Sequence, residues 1–165
     1  MERLWAPWRV EYFKIEKYKG CFLCDYPKMD KDDETFIVWR GKNVFVILNR
    51  FPYNSGHVLI APYRHVSDLS ELTKDEVLEL HYATTLIIKA IKQEFKPHGF
   101  NVGLNLGKAA GASIYDHLHL HVVPRWDGDT NFMPVIADTK VVSEGLEETY
   151  KRLKKAISEI GQKDG

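Results

Sequence analysis

The chain has 165 residues, 44% of them apolar, and its 23 Lys and Arg balance its 23 Asp and Glu. That size and apolar content suit one domain over residues 1–165 with a core of its own, while the neutral balance and the lack of a basic run argue against a protein held on DNA or RNA by phosphate neutralisation. No apolar run is long enough to span a membrane, Met1-Glu2-Arg3-Leu4-Trp5 lacks the core of a secretory signal, and two cysteines cannot build a disulfide framework, so the cytoplasm is the expected compartment.

Residues 1–20 form an arm carrying Trp5-Ala6-Pro7-Trp8-Arg9. Two tryptophans represent too much apolar area to leave wet. The arm therefore packs across the domain or a partner subunit, or it helps to wall a base-binding pocket. Cys21-Phe22-Leu23-Cys24 follows. A C-x-x-C turn offers two thiolates to tetrahedral zinc, and with no third cysteine the remaining ligands must be histidines or carboxylates. His65 and His117 are the candidates, giving a structural zinc site of Cys21, Cys24, His65 and His117. Two inert buried thiols, or a redox pair, are the alternatives.

From Glu34 to Pro62 the pattern is β. Thr35–Trp39 and Asn43–Asn49 are rich in β-branched and aromatic residues, with Gly41-Lys42 as the turn between them. Arg50–Gly56 reads as a loop from its Pro, Asn, Ser and Gly, and His57–Ala61 as the next strand. Asn49 and His57 thus stand at the two mouths of one loop. A helix opens at Thr73, whose capping box with Glu76 is followed by Leu80, Ala83, Ile87, Ala90 and Ile91 at helical spacing. Pro97 and Gly99 should close it near Phe95. The helix covers one face of the sheet, and His81 falls off its apolar stripe.

Phe100–Asn105 reads as a strand that opens into the small-residue loop Gly107–Ser113. Backbone N–H groups of Gly111, Ala112 and Ser113 can approach an anion closely there, although a flexible turn reads equally well from the loop alone. Then come His117, His119 and His121, alternating with Leu118, Leu120 and Val122. Alternation predicts a strand over about 116–126, with imidazoles roughly 6.6 Å apart on one face and the leucines in the core. Three imidazoles need hydrogen-bond partners if buried, so this face reads as an active site. A second helix is expected over about 143–160, with Leu146, Tyr150, Leu153, Ala156 and Ile160 at helical intervals.

His117-Leu-His119-Leu-His121-Val-Val resembles the signature of the histidine triad (HIT) superfamily of nucleotide hydrolases and transferases. Asn49 and Gly56-His57-Val58-Leu59-Ile60-Ala61-Pro62 are similar to the family's ribose-contacting position and second histidine. Asn105-Leu106-Gly107 and Gly111-Ala112-Ser113 resemble its phosphate-side loop. The Trp5–Arg9 opening and Val122-Val-Pro-Arg-Trp126 resemble the branch that includes bacterial diadenosine tetraphosphate phosphorylases. The resemblance implies an α+β fold, an antiparallel β-sheet with two main helices, usually dimeric. It also implies a purine nucleotide held by Asn49, His57, Asn105, Gly111, Ala112, Ser113 and Trp126. No organic cofactor is expected.

The chemistry can be argued from the residues themselves. A neutral imidazole is a competent nucleophile. His119, flanked on both sides, is best placed to attack an α-phosphorus, provided its other nitrogen is held by a backbone carbonyl. His121 sits one pleat away and can donate to a non-bridging oxygen. His117 is assigned both to the triad and to the zinc. The resulting nucleotidyl-histidine would pass to water or, as the phosphorylase-like segments favour, to inorganic phosphate. Two competing readings are a metal-dependent hydrolase using His117 and His119 as ligands, and a nucleotide-binding module without turnover. A homodimer is expected from the family and from Val77, Leu78 and Leu86, which lie beside the core stripe of the first helix.

Overall fold

The β-branched runs and the two helical periodicities resolve into one layer of strands and one of helices in a computed structural model, which describes residues 20–111, 116–130 and 144–164. The tryptophan-bearing part of the arm, Ala112, Ser113 and the stretch 131–143 lie outside the described residues. The five strands are β1 (Ile37–Arg40), β2 (Val44–Leu48), β3 (Val58–Pro62), β4 (Gly99–Leu104) and β5 (Leu120–Arg125). They form one sheet in the order β1-β2-β3-β5-β4, and every neighbouring pair is antiparallel. β5 is therefore flanked on both sides, with His121 opposite Leu59 of β3 and Gly103 of β4.

Among the described residues four α-helices accompany the sheet: two short ones, α1 (Phe22–Asp25) and α2 (Asp32–Thr35), and two long ones, α3 (Lys74–Phe95) and α4 (Leu146–Asp164). The fold is α+β, an antiparallel sheet with two main helices. α3 starts at the expected capping box, in which the Thr73 side chain accepts from the Glu76 N–H and Glu76 accepts from the Thr73 N–H. Such a cap contributes about 1 kcal/mol. The helix stops at Phe95 because Lys96 turns left-handed just before Pro97.

Alternate strand residues separate two apolar layers. Val44, Val46, Leu48, Val58, Ile60, Leu120 and Val122 face Ala83, Leu86, Ile87, Ala90 and Ile91 of α3 and Leu153, Ala156 and Ile157 of α4. Leu86 is thus a core residue and does not join the exposed apolar face expected for α3, which consists of Val77, Leu78 and Tyr82. On the opposite side α1 inserts the fully buried Leu23 against Ile37, Phe45, Ile47, Leu59 and Ala61. Among the described residues this second layer seals only the β1–β3 half of that face.

Two boundaries differ from expectation. The ladder of the histidine strand begins at Leu120 instead of 116, because the Leu118 N–H bonds to Val66 O (2.7 Å) and not to a neighbouring strand. His117 and His119 consequently precede the pleated part, with the His119 and His121 rings 5.0 Å apart. α4 begins at Leu146 and continues to Asp164, where 143–160 was expected.

Candidate active site and metal centre

The chain around His117–His121 serves two clusters. His117 donates from Nε2 to the Pro62 carbonyl (2.9 Å). A carbonyl only accepts, so the proton resides on Nε2 and the Nδ1 lone pair is left for other work. That Nδ1 lies 3.1 Å from Cys21 Sγ and 3.3 Å from Cys24 Sγ. His65 Nδ1 approaches Cys24 Sγ at 3.2 Å, while its Nε2 meets Asp116 Oδ2 at 3.5 Å. The ligand-capable atoms of Cys21, Cys24, His65 and His117 all fall within 4.8 Å of one another.

This donor set fits zinc. Two sulfurs and two imidazole nitrogens are a tetrahedral complement, and each histidine has its far nitrogen occupied, by a carbonyl for His117 and a carboxylate for His65. Burial, together with the adjacent Cys24 thiol, pushes the Cys21 thiol up to about 11. A divalent cation between the sulfurs would remove that penalty. Both cysteines are free thiols.

His119, 4% exposed, uses the other tautomer. Its Nδ1 donates to the His117 carbonyl (2.8 Å), so Nε2 carries the free lone pair. His117 and His119 therefore commit opposite nitrogens to different partners, and the metal-capable cluster among the described residues does not include His119. A shared catalytic metal on this pair does not match that geometry.

A third tautomer choice runs in from the β2–β3 loop. The Tyr53 N–H donates to His57 Nδ1 (3.1 Å), which leaves the proton of His57 on Nε2. That Nε2–H in turn donates to His121 Nδ1 (3.0 Å), so the His121 proton sits on Nε2. His121 Nε2 is buried and has no hydrogen-bond partner among the described residues. It is a donor waiting for an acceptor. Burial pushes His57 down to about 3, with the neighbouring His121 and His119 adding to the shift. Burial, then His119, pushes His121 to about 4. Burial lowers His119 as well, against its bond to the His117 carbonyl. Near neutral pH these rings are uncharged.

The loop feeding this relay is braced from behind. Gly56 takes φ +83°, where a Cβ would meet Pro124 Cγ at 3.3 Å. Asn54 Nδ2 donates to Pro124 O (2.8 Å) and Asp129 Oδ2 (2.7 Å), and Asp129 also takes a two-pronged bond from Arg125. The Arg125 guanidinium beside Asp129 holds that carboxyl far below the usual carboxylate range.

The remaining expected nucleotide contacts divide. Asn49 faces His57 across the loop mouth, with its Nδ2 3.4 Å from His57 Nδ1. Asn105 lies just past β4 beside His121, in the same cavity. Gly111 follows a short turn over Lys108–Ala110 at φ +85°. Trp126 sits apart from the histidines: it lines a cavity of about 590 Å³ with Glu94 and Phe95 of α3 and Arg152 of α4, the helices on the other face. Tyr53, Asn54, Asp116 and Asp129 were not singled out in the sequence. Only Asp116 had a signal, as a carboxylate next to a candidate ligand. The other three look like ordinary turn residues.

Residues 30–128 match the family model "HIT domain". The chain is 43% identical to an AP-4-A phosphorylase of Mycobacterium tuberculosis over 162 residues, covering 93% of this chain and 83% of that protein. It is 32% identical to an uncharacterised HIT-like protein of Saccharolobus solfataricus, over 84% of this chain and 96% of that one. Among solved structures it is similar to a Zn-bound histidine triad family protein from Mycobacterium smegmatis, at TM-score 0.71 and 26% identity, covering 87% of this chain and 97% of that one.

Proposed function

The chain belongs to the HIT domain family, and from that premise we propose that it is a nucleotidyl-transferring enzyme that splits dinucleoside polyphosphates through a covalent nucleotidyl-His119, with inorganic phosphate as acceptor. The observation that carries this reading is the 2.8 Å bond from His119 Nδ1 to the His117 carbonyl, which leaves Nε2 unprotonated for attack. The similarity to an AP-4-A phosphorylase supports the substrate class and the acceptor.

His119 Nε2 donates its lone pair to the α-phosphorus of diadenosine tetraphosphate, the P–O bond to the β-phosphate breaks, and ATP leaves with the electron pair. The His121 Nε2–H donates to an oxygen on which charge develops, held in that tautomer by the Tyr53–His57 relay. A phosphate oxygen then attacks the adenylyl group, the P–N bond breaks, and ADP departs as His119 recovers its lone pair. Asn49, His57, Asn105 and Gly111 lie where they can hold the nucleotide being transferred, with Ala112 and Ser113 following in the chain. Product chromatography with and without phosphate tests the reading. ADP plus ATP, together with an acid-labile adenylyl adduct on His119 after quench, is expected. AMP at the same rate in both conditions with no ADP would leave a hydrolase.

Cys21, Cys24, His65 and His117 would hold a structural zinc ion. Its contribution is to tie the α1 segment and the Pro62–Val66 turn to the chain that carries His119. Metal analysis near one zinc per chain, after purification without chelator, is the expected result. The chain is further proposed to work as a homodimer in the cytoplasm. The exposed Val77, Leu78 and Tyr82 of α3 and the outer edge of β4, unpaired among the described residues, support the dimer, and two free thiols suit a reducing compartment. Light scattering should give twice the chain mass at micromolar concentration. Its ligand is a nucleotide and not nucleic acid, in keeping with the zero net charge.

A further inference from the structure

The β4–β5 half of the sheet carries a trough of which the transfer steps above use only the end at His121 and Asn105. It runs along β5 from His121 past Val123 to Arg125, with Tyr53 on the β3 side and Asn101 and Gly103 on the β4 side, and it holds about 440 Å³. That is within the roughly 300–1,000 Å³ of small-molecule sites. Four strand residues span about 13 Å from the reacting centre, far more than water or ammonia requires.

Gly103 is the informative residue. It pairs directly with His121, so a side chain there would stand beside the His121 ring. Glycine weakens a strand and needs a reason. Its torsion is not left-handed, and a Cβ built on it meets nothing within 4 Å among the described residues. Neither the backbone nor a close neighbour requires a glycine. What its absent side chain provides is space next to the reacting histidines.

The groups around that space are donors. His121 Nε2 is buried and unpartnered among the described residues. The Asn101 oxygen is taken by Arg125 Nη1 (2.6 Å), which leaves the amide NH2 as the group Asn101 can offer a ligand. Asp129, the nearby carboxylate, is occupied by Arg125, Asn54 and the Trp126 N–H. At the β3 side Tyr53 is 54% exposed and lies parallel to the His121 ring at 6.1 Å, an aromatic surface open to a base or sugar.

We propose that this trough receives the departing half of the substrate, a nucleoside polyphosphate, and thereby selects dinucleoside polyphosphates over nucleotides with small leaving groups. The proposal rests on the nucleotidyl-His119 reading. Two substrates that give the same adenylyl-His119 test it, diadenosine tetraphosphate and adenosine 5′-phosphoramidate, whose leaving group is only ammonia.

Gly103→Val suits a strand and fills the trough, and Asn101→Ala removes a donor far from His121. Each should cut kcat/KM for diadenosine tetraphosphate, the valine variant by about tenfold or more, while phosphoramidate turnover stays within about twofold. Retained phosphoramidate turnover also reports that the variant is folded. If both variants lose or keep activity on the two substrates in parallel, the trough is not the leaving-group site. If the wild-type protein forms no adduct from either substrate, the underlying transfer reading fails instead.

Discussion

His117 and His119 are two residues apart, similar in burial and identical in chemistry, yet the backbone gives them opposite tautomers. His117 surrenders its Nε2 proton to Pro62 O and turns Nδ1 toward two thiols. His119 surrenders its Nδ1 proton to His117 O and keeps Nε2 for a substrate. One nitrogen suits a metal and the other suits a phosphorus. The lesson is that the residue type alone does not decide between ligand and nucleophile; the carbonyl that claims the proton does.

Breaking each histidine's task separately should separate chemistry from stability. His119→Ala is expected to lower turnover by about 10³-fold or more while the thermal midpoint stays close to wild type, since a reacting group, and not a cross-link, is lost. Substantial residual turnover would overturn the covalent mechanism. Cys21→Ser, or exhaustive chelation, is the opposite case. A stability loss on the order of several kcal/mol is expected, with activity falling only as the fold does. Chelation that stops turnover at unchanged stability, read by circular dichroism, would return the metal to the chemistry.

A pH series sharpens the contrast between free and protein-held imidazoles. His57 and His121 sit at about 3 and 4 in the folded chain, below the ordinary 6.5, because burial disfavours their charged forms. The unfolded chain therefore binds more protons between those values, so their effect on stability is absent above about pH 6.5 and grows as pH falls toward 4. Thermal unfolding should show a midpoint that declines from pH 7 to pH 5. The acid limb of kcat should lie below that of an ordinary histidine, because burial lowers His119 and His121 alike. An acid limb centred near 6.5 would contradict the relay.

The smallest effect is expected at the brace behind the relay. Asn54→Ala should lower kcat about threefold to tenfold with KM little changed, because the main task of Asn54 is to tie the Tyr53–His57 loop to Pro124 and Asp129. A change confined to KM would argue that Asn54 contacts the ligand.

Much of this arrangement was legible in the chain. The capping box placed the start of α3, Pro97 its end, and the C-x-x-C pair with His65 and His117 anticipated a cluster spread over 96 residues of sequence. The hidden part concerns backbone partners. Leu118 N–H bonding to Val66 O delays β5, yet Leu118 alternates as cleanly as Leu120. The Tyr53 N–H that sets the relay belongs to a main chain any residue could supply. Trp126 shows a related effect: its nearness in sequence to the histidine strand does not fix the face on which its side chain lands, and it lines the cavity on the helix side.

Glu79 of α3 carries a further consequence. Its carboxylate accepts from three successive main-chain amides, those of Lys42, Asn43 and Val44, at the β1–β2 turn. A hairpin tip is ordinarily among the first places to open to solvent. Here the tip is fastened to the first turns of the helix, so its protons can exchange with deuterium only when the carboxylate lets go. Those three amides should exchange together, in step with motions of the first turns of α3 and not with fraying of the strands. The turn thus behaves mechanically as part of the helix.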